Sequence, residues 1–282
     1  MKDSIGIIGQ GFVGTAVREG LKSIFEIQTY DKYKDSSCDS VEELCSKVKI
    51  IFVCLPTPMR KDGSCDLSIV RDTILELDKF SDDHVAVVKS TMPPGSTKSL
   101  NQLCQNLQVV FNPEFLTEAN YIDDFKNQTR IIIGGPRPAS TKIKNLYKKA
   151  FYNTPIIKTG SSTAEMVKYF LNCFLATKVS FANEMKDICD RSDIDYDKVV
   201  EYSLYDTRIG NSHLNTPGPD GKRGFGGSCF PKDINALIYF AIDLGIDPVL
   251  LKAAWDKNLK VRPEKDWELL LGRAVSEGEK NE

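Results

Sequence analysis

The 282 residues exceed one ordinary domain, and 37 Lys+Arg stand against 39 Asp+Glu with neither a basic stripe nor an acidic tail. That balance argues for two domains with a sizeable core and against nucleic-acid binding. No apolar run reaches membrane-spanning length, and residues 1–10 lack the basic start and long apolar core of a signal peptide, so a cytoplasmic protein without membrane association is expected.

In chain order, short β-branched runs at Ile5–Ile8, Ile27–Tyr30, Ile50–Leu55, Val85–Val88, Val109–Phe111 and Ile131–Ile133 alternate with amphipathic stretches. This rhythm predicts an α/β domain, a doubly wound Rossmann-like parallel sheet over residues 1–160. Gly9-Gln10-Gly11-Phe12-Val13-Gly14 follows the first run and opens a helical one, Thr15–Leu21. In that context Gly9 permits a tight turn, Gly11 admits a pyrophosphate, Gly14 lets helix and strand pack, and the helix N-terminus offers amides. Asp31 closes the second strand, placed either for ribose hydroxyls, favouring NAD over NADP, or simply for a turn. Lys32 and Lys34 beside it could soften that preference.

Ser90-Thr91 leaves the fourth strand at the carboxyl edge, where open parallel sheets bind ligands, with Ser96 or Thr97 read as the next helix cap. Glu114 and Glu118 leave the fifth strand four apart, a spacing more often solvated than catalytic.

Residues 161–282 are predicted to be all-helical. Ser162-Thr163-Ala164-Glu165 reads as a capping box opening one helix to about Arg191. Its broad apolar face (Val167, Phe170, Leu171, Phe174, Leu175, Phe181, Ala182, Met185, Ile188, Cys189) predicts a spine for helix packing and a homodimer through 161–191. Lys168 and Asn172 share a face, but Glu165, Asn183, Lys186 and Asp190 project nearby, so a solvated stripe reads equally well. Further helices are expected at Asp195–Tyr205, Lys232–Leu244, Val249–Leu259 and Glu264–Val275, interrupted by a Pro/Gly-rich loop at Thr216–Gly227.

Eight cysteines without a C-x-x-C, and only His84 and His213, give no zinc spacing; reduced thiols and no metal are expected. His84 reads as structural and His213 as solvated. Cys229 differs from the other seven. Gly224-Phe225-Gly226-Gly227-Ser228-Cys229-Phe230-Pro231-Lys232-Asp233 places it before a Pro-marked helix start with Lys232 close by, a setting that makes a thiol nucleophilic, and the glycines leave room for a substrate.

These motifs, with Leu55-Pro56-Thr57-Pro58, Gly63, Asp66, Arg130–Gly134 and Arg208-Ile209-Gly210, resemble in order the UDP-glucose dehydrogenases and their GDP-mannose and UDP-N-acetylmannosamine relatives. The resemblance implies an NAD-dependent nucleotide-sugar 6-dehydrogenase making two hydride transfers through a thiohemiacetal and thioester on Cys229. It implies that Lys168 and Asn172 stabilise negative charge on the sugar oxygen, that Asp233 handles protons or water, and that Glu114 serves hydrolysis with Thr91 holding a water. It puts Gly9–Gly14 (Gln10, Gly11, Phe12 and Val13 among them), Asp31, Leu55, Pro56, Thr57, Ser90, Thr91, Glu118 and Lys232 at the cofactor. Phe115, Leu116, Glu118 and the Phe225, Gly226 and Gly227 backbone are implied at the sugar nucleotide, and Arg208 at the neighbouring subunit's substrate. Family members normally continue into a further nucleotide-gripping domain, whereas here Glu264–Glu282 reads as a charged helical tail, and the Asn215–Arg223 loop is longer than usual. A GDP-mannose or UDP-N-acetylmannosamine enzyme, or an NAD-binding subunit needing a partner chain, therefore stays open.

Overall fold

The computed structural model describes residues 3–277. The chain divides into two compact units, Met1–Thr57 with Leu67–Lys168, and Pro58–Asp66 with Tyr169–Glu282. Against the expected 1–160 and 161–282, the division falls at Lys168, inside a helix, and Pro58–Asp66 joins the second unit. That segment does so by backbone pairing: the Met59 N–H donates to the Ala274 carbonyl and the Ser276 N–H to the Met59 carbonyl, each at 2.8 Å.

The first unit runs β1 (Ser4–Ile8), α1 (Phe12–Leu21), β2 (Glu26–Tyr30), α2 (Val41–Lys47), β3 (Ile50–Val53), α3 (Ser68–Lys79), β4 (Val85–Val88), α4 (Ser96–Leu103), β5 (Gln108–Phe111), α5 (Tyr121–Lys126), β6 (Ile131–Gly134), α6 (Ala139–Ala150) and β7 (Ile156–Thr159). The sheet order is β2-β1-β3-β4-β5-β6-β7, so the order reverses between β1 and β3, where doubly wound folds bind ligands. Alternate residues of each strand feed two separate cores: Ile51, Val53, Ala86 and Val88 on one face, Phe52, Val85 and Val87 on the other. Burial on both faces is why these runs are continuously apolar, each Val, Ile or Phe side chain contributing about 1.5–3 kcal/mol.

Two features depart from the expected parallel sheet. β5 and β6 pair antiparallel, through Phe111 and Gly134, and β7, unexpected from the sequence, extends the sheet parallel to β6. An apolar run such as Ile131–Ile133 carries no mark of its direction, and Ile156–Thr159 is short and partly exposed. β3 also ends at Val53, before Leu55.

The second unit contains most of α7 (Ser161–Arg191), then α8 (Tyr196–Ser203), α9 (Phe230–Asp243), α10 (Val249–Val261) and a short 3-10 turn at Asp266–Leu269. Its core gathers Tyr169, Cys173, Ala176, Phe225, Ile234, Ala236 and Ala254. The expected helix at Glu264–Val275 does not form. Beyond the 3-10 turn the chain bends back in bridges of Val275 with Leu271 and Met59, and residues 278–282 of the expected tail lie outside the described residues.

The α7 face also divides differently. Small residues (Cys173, Ala176, Ala182, Cys189) turn inward, whereas Phe170, Phe174, Phe181 and Ile188 are 51–66% exposed. A helical wheel shows a wide apolar arc without telling which edge is covered. Nor are all the polar residues beside it solvated, since Glu165, Lys168, Asn172 and Asn183 are buried. Among the described residues, no helix is long and apolar enough to cross a membrane.

Candidate functional site

The fingerprint turn leaves β1 at the switch point. Gly9 has φ +88°, and a Cβ there would lie 2.5 Å from the Cys54 carbonyl oxygen; one on Gly14, already inside α1, would lie 1.9 Å from the Gly9 carbonyl oxygen. Gly11 is the N-cap of α1, makes no side-chain cap bond, and a Cβ on it would meet nothing within 4 Å. The helix N-terminus therefore faces open space, the arrangement that receives a pyrophosphate, and these residues fit a dinucleotide. The ring of Phe12 packs edge-on against Tyr121 at 6.2 Å, and Val13 continues α1. The Gln10 N–H donates to Asp31 Oδ2 (2.6 Å), and the Tyr33 N–H to Asp31 Oδ1 (2.9 Å). Asp31 thus makes the turn that the plainer reading gave it and ties the fingerprint to the end of β2. Lys34 is engaged by the Gln10 carbonyl (2.8 Å).

The loops after β3 and β4 are joined. Ser90 Oγ donates to the Leu55 carbonyl (2.6 Å) and accepts from the Leu55 N–H (3.1 Å), and Thr57 Oγ1 donates to the Thr91 carbonyl (2.8 Å). Pro56 is exposed and Thr91 half-buried. Neither Ser96 nor Thr97 caps α4. Its N-cap is Gly95, and the Glu165 carboxylate of α7 supplies the acceptors, taking the Gly95 N–H (2.7 Å), the Thr97 N–H (2.7 Å) and the Thr97 hydroxyl (2.6 Å). The expected capping box is thereby corrected: α7 begins at Ser161, and Glu165 serves another helix. Burial raises the Glu165 carboxyl above its usual range against these hydrogen bonds.

After β5, Glu114 is buried. Its Oε1 accepts the Phe115 N–H (2.9 Å), its Oε2 lies 2.8 Å from Lys89 Nζ, and its carbonyl accepts from Lys168 Nζ (2.5 Å). Lys168 and Arg130 lie 5.6 and 4.5 Å from the Phe115 ring centre. Leu116 packs on the core, whereas Glu118 is exposed.

In the second unit Cys229 is the N-cap of α9, partly exposed, with Pro231 in the first turn. Asp233 is 1% exposed and accepts from Asn172 Nδ2 (2.6 Å) and Lys232 Nζ (2.5 Å), while its N–H donates to the Cys229 carbonyl (3.0 Å). Burial works against the Lys232 ammonium, but Asp233 and then Cys229 outweigh it and its pKa rises. Burial also pushes the thiols of Cys45 and Cys104 up to about 11 and of Cys54 to about 12, in keeping with packing roles.

The glycines before Cys229 act differently from the sequence reading. Only Gly227 opens space. A Cβ on Gly224 would lie 2.4 Å from Asn258 Oδ1, and one on Gly226 2.5 Å from Asp266 Oδ1 and 2.6 Å from Arg262 Nε. They let the loop press against α10. Asn258 accepts the Phe225 N–H (2.7 Å) and donates to the Phe225 carbonyl (2.9 Å), so both polar groups of that backbone unit are engaged. Arg262, 3% exposed, grips Asp266 (2.6 Å) and Asp220 (2.7 Å), while Asn183 takes Arg223 Nε (3.0 Å). Arg208 is exposed and paired with Asp206 (2.9 Å). His84 is buried and His213 exposed, its ring 5.6 Å from that of Phe230. Lys89, Asn112, Asn258, Arg262 and Asp266 escaped sequence reasoning. Only Lys89, a charge abutting the apolar run Val85–Val88, carried a visible signal.

A glycine cradle at the switch point of a doubly wound sheet defines a dinucleotide-binding Rossmann protein. The chain belongs to the UDP-glucose/GDP-mannose dehydrogenase family: residues 17–151 match its NAD binding domain and 162–260 its central domain. NAD is accordingly the cofactor. The chain is 37% identical to the UDP-glucose 6-dehydrogenase TuaD of Bacillus subtilis, over 76% of this chain and 47% of that protein. It is 36% identical to the UDP-glucose 6-dehydrogenase AglM of Haloferax volcanii, over 81% and 56%. The structure of a UDP-glucose dehydrogenase from Pyrobaculum islandicum superimposes with TM-score 0.84 at 30% identity, covering 96% of this chain and 71% of that one. The chain thus spans about half the length of the curated relatives it matches.

Proposed function

We propose that this chain is an NAD-dependent nucleotide-sugar 6-dehydrogenase that oxidises UDP-glucose to UDP-glucuronate in two hydride transfers. The observation that carries the reading is Cys229 at the start of α9, followed by Lys232 and the buried Asp233 held by Asn172. The Gly9–Gly14 turn and the start of α1 would hold NAD, which would supply a hydride acceptor for each oxidation. Lys168 stabilises the negative charge that forms on the sugar oxygen as its hydroxyl proton passes to water, the charge that then expels the hydride, since an ammonium fixed on the Glu114 carbonyl needs no reorganisation. The Cys229 thiolate adds to the aldehyde carbon, and loss of the second hydride from that tetrahedral adduct gives a thioester. Water then adds to the thioester carbonyl, giving its proton to Glu114; the C–S bond breaks, and the acid leaves with the thiol restored. Asp233 steers protons beside Cys229.

Thr91 holds the hydrolytic water. Phe115, Leu116, Glu118 and the Phe225–Gly227 loop contact the sugar nucleotide, with Asp31, Leu55, Pro56, Thr57, Ser90, Glu118 and Lys232 at the cofactor. The exposed stripe Phe170, Phe174, Phe181 and Ile188 on α7 supports a homodimer, with Arg208 reaching the neighbouring copy's substrate. The test is NADH released per nucleotide sugar, with UDP-glucose, GDP-mannose and UDP-N-acetylmannosamine compared. Two NADH from UDP-glucose are expected; one per turnover refutes the double oxidation, and preference for another sugar reassigns the substrate. Purified chain that turns over nothing alone, but does so with a second polypeptide, favours the partner-dependent subunit.

A further inference from the structure

A lysine buried at the end of a sheet strand is costly unless its charge is used. Lys89 follows β4 directly, and its side chain is 2% exposed. Its Nζ lies 2.8 Å from Glu114 Oε2 and donates to Asn112 Oδ1 at 2.8 Å. The Asn112 orientation is fixed from two sides, because its Nδ2 donates to the Ile132 carbonyl (2.7 Å) and its Oδ1 also accepts from the Tyr147 hydroxyl (2.5 Å). The Phe125 ring closes on the ammonium at 5.7 Å. Glu114 Oε1 thus accepts the Phe115 N–H and Oε2 is ion-paired with Lys89, buried and without a hydrogen-bond donor among the described residues, so both oxygens retain lone pairs.

We infer that Lys89 is the positioning residue for Glu114: it fixes the rotation of the carboxylate, so that the remaining lone pairs meet the water that hydrolyses the thioester. This rests on the reaction proposed above. Besides Glu114, the titratable groups facing the Lys89 ammonium are the Tyr147 phenol and the Cys54 thiol, and burial pushes each up to about 12, so both stay neutral. The Lys89 ammonium is itself raised, burial opposing it and Glu114 outweighing burial. Lys89 is thus the cation at the Glu114 carboxylate oxygen, while the Lys168 ammonium lies on the backbone carbonyl of the same residue. Packing alone would be met by methionine.

The test compares wild type, K89M, K89R and E114Q with UDP-glucose and excess NAD, following NADH by stopped flow and acylated Cys229 by mass spectrometry after acid quench. Hydride transfer precedes hydrolysis, so K89M should show an NADH burst and then a steady rate about 10²-fold below wild type. The acyl adduct should accumulate. K89R should restore part of the steady rate, and K89M/E114Q should be no slower than the slower single variant. Unchanged turnover in K89M, or a burst slowed equally with no adduct, overturns the inference. Should K89M not fold, K89Q, which keeps a donor without the charge, is read by the same two measurements. Wild type that forms no NADH overturns the proposed reaction and this inference with it, whereas two NADH from wild type and an unaltered variant overturn the inference alone.

Discussion

Asn258 offers a sharp test of how the cysteine loop is held. It is fully buried on α10, and its amide satisfies both the N–H (2.7 Å) and the carbonyl (2.9 Å) of buried Phe225. Asn258→Ala strands both groups, each costing about 1–3 kcal/mol, so the unit should lose about 2–6 kcal/mol. Gly224→Ala attacks the same contact from the other side. Its Cβ would lie 2.4 Å from Asn258 Oδ1 at a residue with φ +68°, and the left-handed backbone alone costs about 1–2 kcal/mol. In the double variant the oxygen is gone, and the backbone strain remains with the milder contacts to Val261 (3.1 Å) and Arg262 (3.3 Å). The two costs should therefore fall short of additivity by about 1 kcal/mol or more. The assay is urea unfolding followed by tryptophan fluorescence. Both tryptophans, Trp255 and Trp267, lie in this unit with ring centres 5.2 Å apart, and Trp255 sits 6.1 Å from the Phe225 ring. Strictly additive losses, or an Asn258→Ala cost under about 1 kcal/mol, would refute the clamp.

Lys168→Met removes the ammonium anchored on the Glu114 carbonyl and should lower kcat about 10²-fold with little change in KM; a rise in KM alone would return Lys168 to substrate binding. Cys229→Ser should still bind NAD, measured by calorimetry, yet form no uronic acid; acid at the wild-type rate would remove the thioester from the scheme. Burial raises the Glu165 carboxyl, so between the ordinary carboxyl range and its higher folded value the unfolded chain ionises while the folded one holds its proton. Its contribution is complete below the unfolded pKa and lost as pH rises through the folded one. The stability of wild type relative to Glu165→Gln should accordingly fall from about pH 4 upward and then level off. A difference in urea midpoints that grows with pH contradicts this.

What was legible in the sequence divides by physical cause. β-branched runs and glycine spacing report burial and close backbone approach, so six strands and the fingerprint could be read directly. Direction and coverage leave no such mark. Ile131–Ile133 looks the same in a parallel or antiparallel partner, and the α7 wheel could not separate inward Cys173 and Ala176 from outward Phe170 and Phe174. Glu165 fitted a local capping pattern, but its acceptors are taken by Gly95 and Thr97, almost 70 residues earlier in the chain.

Three roles that the sequence did not reveal share one property. Asn258 on Phe225, Glu165 on the start of α4 and Asp266 on the Gly227 N–H each satisfy the backbone of a loop or helix end from a distant element. A loop that carries chemistry must leave some backbone groups outside regular secondary structure, and those that are buried need partners. Those partners come from wherever packing brings a short polar side chain, which leaves no local motif. A residue that touches a ligand is constrained by chemistry and so clusters in recognisable strings, while one that holds a loop is constrained only by reach. The dependence should run one way: replacing the Cys229 side chain leaves the two Asn258 bonds to Phe225 in place, whereas replacing Asn258 removes both from the loop that leads to Cys229.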